Sequence, residues 1–140
     1  MFYSCKVRQA MIDCFTAHKE DKDKGGYPYF YHPLILAIQF DDEESVCVAL
    51  LHDVVEDHPD KYSISYIREK YGNTIADAMN LLTHNKGVPY LEYIKSIKQN
   101  KIARKVKIAD LKHNTDLDRL NGKKPPKYEL YIEALKLLNC

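Results

Sequence analysis

The sequence predicts an all-α domain. Apolar residues recur three or four apart along most of the chain, and few segments alternate with period two. Gly, Pro and Asn fall in short clusters between the periodic stretches. Phe2 to Lys19 puts Val7, Ala10, Met11, Cys14 and Phe15 on one stripe of a first helix. Lys22 to Tyr31, with Gly25, Gly26 and Pro28, reads as a loop. Pro33 suits the first turn of a short helix through Phe40. Asp41 and Asp42 can cap the next helix, and its positive N-terminus favours Glu43 and Glu44. That helix carries VCVALLHDVVED and is expected to stop near His58-Pro59. Ser63 caps a helix through Lys70, Tyr71-Gly72-Asn73 breaks the chain, and Thr74 to Leu82 is helical again. Asn85 to Pro89 is a second loop. Helices are expected over Tyr90–Gln99 and from Ile102 to about Leu117. Asn121 to Lys127 contains Gly122 and Pro125-Pro126 and reads as a turn, and Tyr128 to Leu138 is a last amphipathic helix. There is no repeat, no low-complexity tract and no separating linker, so residues 1–140 are expected to form a single domain.

Bulk properties narrow the function classes. A chain of 140 residues can bury one core without disulfides. Its 45% hydrophobic and 29% charged residues are ordinary for a globular protein. A net charge of +1 gives no support to a nucleic-acid partner. Cys5, Cys14, Cys47 and Cys140 include no CxxC pair and no zinc-ribbon spacing, as expected in a reducing cytoplasm. The start has no signal-peptide run, and no stretch approaches the roughly 20 apolar residues of a membrane span. A soluble cytoplasmic protein without a membrane partner is the expectation.

The chemistry is concentrated in ALLHDVVED, residues 49–57. Neighbouring helical residues point about 100° apart, so His52 and Asp53 converge only on something held between them. A metal ion is such an object, and imidazole with carboxylate suits Mn, Fe, Co, Ni or Zn better than Ca. Glu56 lies four residues after His52, and Asp57 four after Asp53, so both acids rise over the same face one turn on. Acids placed there can hold or deprotonate a water. Further ligand candidates are His32, in YFYHP, and Asp110, which interrupts the apolar face of Val106, Ile108, Ala109 and Leu111. A carboxylate on such a face costs energy unless paired or bound to a cation. Asn114 follows Asp110 by one turn. Taken singly, each residue has an ordinary explanation: a chance dipeptide, a solvated helix end, a surface ion pair, a loop histidine. Their joint occurrence in this order is what points to function.

HP at 32–33, HDxxED at 52–57 and KIADLxHN at 107–114 resemble the HD-domain metal-dependent phosphohydrolases. More narrowly, they resemble the Rel/Spo-type hydrolase domain and the stand-alone small alarmone hydrolases. AH at 17–18, GxPYxxHP at 26–33, YG at 71–72 and LLT at 81–83 fall in the same family order, so the likeness covers about residues 10–120. The resemblance implies a single compact helical bundle with a central metal cleft holding one Mn²⁺. His32, His52, Asp53 and Asp110 would be its ligands. Glu56 and Asp57 match the acids that position and activate the attacking water. Asn114 matches a residue at the floor of the substrate pocket. The implied reaction removes 3′-pyrophosphate from (p)ppGpp, a small-molecule nucleotide, to give GDP or GTP and pyrophosphate. A synthetase domain has no room in 140 residues, which implies a stand-alone hydrolase.

In HKEDKDKGGYPY, Lys24 matches the second residue of the family's basic pair, and Asp23 stands where the first would be. Lys22 can compensate, since a lysine stem is long and mobile. His58 stands where the family usually has threonine after the acidic pair. The departure at Asp23 keeps open an HD phosphohydrolase of another nucleotide or phosphoester, and an inactive metal-bearing nucleotide sensor is a further alternative of a different class. Intact Glu56 and Asp57 weigh against the sensor.

Overall fold

A helix that is apolar all round has to be buried. The run Ser45–Leu51 is, with every side chain enclosed at the centre of the computed structural model, which describes residues 1–140. This central helix, α3 (Glu43–Leu51), starts where Asp42 accepts a hydrogen bond from the Ser45 amide. It packs against α1 (Cys5–His18), α2 (Tyr31–Ala37), α6 (Asn73–Leu82) and α8 (Lys101–Asn114). The remaining helices are α4 (Val54–Asp57), α5 (Ile64–Tyr71), α7 (Tyr90–Ile97) and α9 (Tyr128–Leu138). α9 lies against α7 and α8 and buries Ala134 and Leu138. The only β feature is an isolated bridge between Lys22 and Pro28. The expected all-α class is the observed one.

Four expectations need correction. The helix carrying HDVVED is not continuous: α3 ends at Leu51, His52 and Asp53 form a turn, and α4 resumes at Val54. Asp53, at φ −101° and ψ −3°, is the residue that bends the path. The last long-stripe residue of α1, Phe15, is 54% exposed rather than buried. Cys14 takes the core position, which turns Phe15 outward to meet the Phe30 ring edge-on at 5.4 Å. α2 ends at Ala37 rather than Phe40, and α8 ends at Asn114 rather than near Leu117. Thr115 closes α8 by bonding its hydroxyl back to the Leu111 carbonyl at 2.8 Å.

Asp13 explains part of the tyrosine content. Its carboxylate receives the Tyr71 hydroxyl at 2.5 Å, the Lys70 ammonium at 2.9 Å and the Tyr66 hydroxyl at 3.1 Å, tying α1 to α5. Between α5 and α6 the chain reverses at Gly72, with φ +96° and ψ 172°. L residues rarely adopt that region, and a Cβ there would meet nothing within 4 Å. Gly72→Ala is therefore expected to lose about 1–3 kcal/mol of stability through backbone strain alone. Urea unfolding checks this, and an unchanged midpoint would contradict it.

Candidate metal centre

The bend after α3 is what lets His52 and Asp53 meet. On a straight helix they would diverge; here His52 Nε2 lies 3.1 Å from Asp53 Oδ2. His52 Nδ1 donates to the Ala49 carbonyl at 2.7 Å, because a carbonyl can only accept. That bond leaves Nε2 to point into the centre, where it is buried and makes no hydrogen bond of its own. α8 brings Asp110 to the same place, with Oδ1 3.5 Å from His52 Nε2 and 2.8 Å from His32 Nε2. The donor atoms of His32, His52 and Asp53 lie within 4.8 Å of one another. The structure thus gathers residues from α2, the α3–α4 bend and α8 that the sequence keeps up to 78 positions apart.

The surroundings orient these groups. His32 Nδ1 and His113 Nδ1 are 2.6 Å apart, with the rings stacked at 4.8 Å. Burial, then the neighbouring His32, pushes His113 down to about 4, so it is neutral and can accept the His32 Nδ1 proton. His32 Nε2, 2.8 Å from Asp110 Oδ1, then turns to the same point as that carboxylate, where a cation can replace the proton they share. Asp110 Oδ2 receives the largely buried Lys107 ammonium at 3.0 Å, and Asn114 donates its amide to Oδ1 at 3.1 Å. The Tyr29 hydroxyl donates to Asp53 Oδ2. Burial and then the Asp53 charge hold the Tyr29 phenol well above its ordinary range, so it stays a donor.

Electrostatics favour a cation at the centre. Burial disfavours both carboxylates as charges. His52 overrides that for Asp53, and Lys107 followed by His32 for Asp110, so both stay ionised below the usual range. Burial also opposes charge on His52, yet Asp53 and Asp110 raise it well above its ordinary value. The site therefore attracts positive charge where the unbonded Nε2 points, and a divalent ion can take the place of that proton. Two imidazole nitrogens with two carboxylates are a donor set for a transition-metal ion.

Beside this cluster lies a cleft of about 550 Å³, lined by Glu20, Asp21, Lys22, Tyr29, Asp57 and His58. Tyr29 is shared by the cleft and the cluster. Asp57 faces the cleft, and its partial burial, then Asp53 and Glu56, push it up to about 6. Glu56 accepts a 2.6 Å hydrogen bond from the His84 amide, which joins α4 to the end of α6. Lys24 is exposed and outside the cleft lining, while Lys22 is in it. Asp23 acts locally, since its Oδ1 accepts from the Gly25 and Tyr27 amides at 2.9 Å each and closes the loop. Asp21 also lines the cleft, where nothing in its polar loop setting but its position three after His18 at a helix end points to it.

No protein-family model matches the chain. Among curated relatives, guanosine-3′,5′-bis(diphosphate) 3′-pyrophosphohydrolase of Aquifex aeolicus is 35% identical over 89 residues, 61% of this chain. The bifunctional (p)ppGpp synthase/hydrolase SpoT of Escherichia coli is 33% identical over 94 residues, 64% of this chain. The matched segment is 12% of the length of either relative. A solved structure of a metazoan ortholog of SpoT, a protein that hydrolyzes ppGpp and plays a role in starvation responses, has the same fold. Its TM-score is 0.76 at 21% identity, over 99% of this chain and 85% of that one. No helix is long and apolar enough to cross a membrane. The chain is thus similar in sequence to two (p)ppGpp hydrolases over about three fifths of its length, and it shares its fold with the metazoan protein along nearly all of it.

Proposed function

We propose that the protein is a Mn²⁺-dependent hydrolase that removes the 3′-pyrophosphate of (p)ppGpp. The observation that carries the reading is the convergence of His32, His52, Asp53 and Asp110 beside a cleft that holds Asp57. A divalent cation, when bound by those four residues, supplies Lewis acidity and offsets charge on the transferred group. The chain's own residues do the rest. Tyr29 and Asn114 fix the orientation of Asp53 and Asp110. Asp57 accepts the proton of the attacking water as oxygen bonds to phosphorus, and the bond to the 3′ oxygen breaks as that oxygen takes a proton from solvent to leave as a hydroxyl. Glu56, steadied by the His84 amide, supports Asp57 from the same turn. Lys22 meets phosphate charge from the cleft wall, with Lys24 and Asn114 as further substrate contacts.

A substrate panel tests the reading: ppGpp, pppGpp, ppApp, NADPH, dNTPs and nucleoside monophosphates, each with Mn²⁺ and with EDTA. Metal-dependent turnover of ppGpp and pppGpp is expected. Turnover of another panel member alone would move the substrate to a different nucleotide, in keeping with Asp23 at the otherwise basic position. Metal binding without any turnover would favour a nucleotide sensor.

The raised Asp57 carboxyl gives a pH prediction. Its base form grows as pH rises, so kcat/KM should climb through an acid limb. A bound cation favours the carboxylate, which places the limb at or below about 6. A limb well above pH 7 in the pH–rate profile would contradict Asp57 as the base.

A further inference from the structure

We propose that His18, Asp21 and His58 form a second metal site, one that takes a divalent ion of the Zn²⁺ class at the mouth of the cleft. Both histidines converge on one oxygen: His18 Nδ1 lies 2.9 Å and His58 Nε2 2.6 Å from Asp21 Oδ2. Their donor atoms all lie within 4.8 Å of one another. Two imidazoles and a carboxylate are a protein ligand set for zinc that leaves a coordination position open.

The local chain builds the triad. His18 ends α1, and the Asp21 amide bonds back to the His18 carbonyl at 2.9 Å, so an H-x-x-D spacing folds both side chains to one side. His58 follows α4, which packs on α1. One face is closed, since His18 is buried; the other opens to the cleft that Asp21 and His58 line. Glu20 and Asp57 add negative charge to the same cleft, and Lys22 opposes them. The site is separate from the His32–His52 cluster: the Tyr29 ring stands between them, 4.8 Å from the His18 ring, with its hydroxyl on Asp53.

Zinc stoichiometry tests the proposal and does not depend on the alarmone reading, which fails or stands on pyrophosphate release. The metal-free wild type is titrated with Zn²⁺ by calorimetry, and bound metal is counted by elemental analysis after desalting. Two equivalents are expected. Asp21→Asn and His58→Gln should each fall to one equivalent with unchanged circular dichroism, and His52→Ala should retain the other one. Asp21→Asn or His58→Gln binding as much zinc as the wild type would overturn the site.

Discussion

Asp110→Ala is expected to lose metal, turnover and stability together. The carboxylate is the one group that touches both histidines, Lys107 and Asn114. If Asp110 is a ligand, as proposed, metal affinity should fall by more than about 100-fold, beyond the effect of removing an outer partner. Turnover should fall by about 1,000-fold or more, the equivalent of several kcal/mol of charge stabilisation. Lys107, largely buried, would be left without its counter-charge. Breaking such a pair costs about 3–5 kcal/mol. Adding Lys107→Met to Asp110→Ala removes the orphaned charge and should recover most of the stability without restoring metal. Metal content, turnover and urea unfolding on the two variants separate these effects. Full metal occupancy in Asp110→Ala would refute its role as a ligand.

Asp57→Asn is expected to reduce turnover by about 10²- to 10⁴-fold, the usual contribution of a general base, with metal binding retained. The amide fills the same space and cannot take a proton. Glu56→Gln asks a different question, because the glutamine oxygen can still accept from the His84 amide. A loss of turnover in that variant would report the missing charge rather than a displaced helix end. Both variants should keep wild-type metal content by elemental analysis. Unchanged turnover in both would remove the pair from the mechanism.

Much of this arrangement was legible in the chain, for identifiable reasons. The all-apolar run before His52 had to be central, and it is α3. Asp42 and Ser63 are N-caps as their residue types suggested, and Gly72 marks a true reversal. Asp110 on an apolar face needed a partner, and Lys107 with two histidines supplies it. The break at His52-Asp53 was not legible, because the helical period continues straight through HDVVED. A backbone bend of two residues leaves no trace in the pattern of apolar positions. Lys22, legible as the basic group that compensates for Asp23, does line the cleft, whereas Asp21 was hidden. A polar loop reads as solvated until the folding of α4 against α1 sets His58 over it. Asp23 reads as a lost basic residue and is, in the structure, the acceptor that closes its own turn.

The most direct measurement is phosphorus NMR of ppGpp incubated with the Mn²⁺-loaded protein, since it identifies which bond breaks. GDP and pyrophosphate in equal amounts, absent with EDTA and absent with Asp110→Ala, is the predicted result. Orthophosphate as the product, or intact ppGpp after prolonged incubation with metal-loaded protein, would contradict the account.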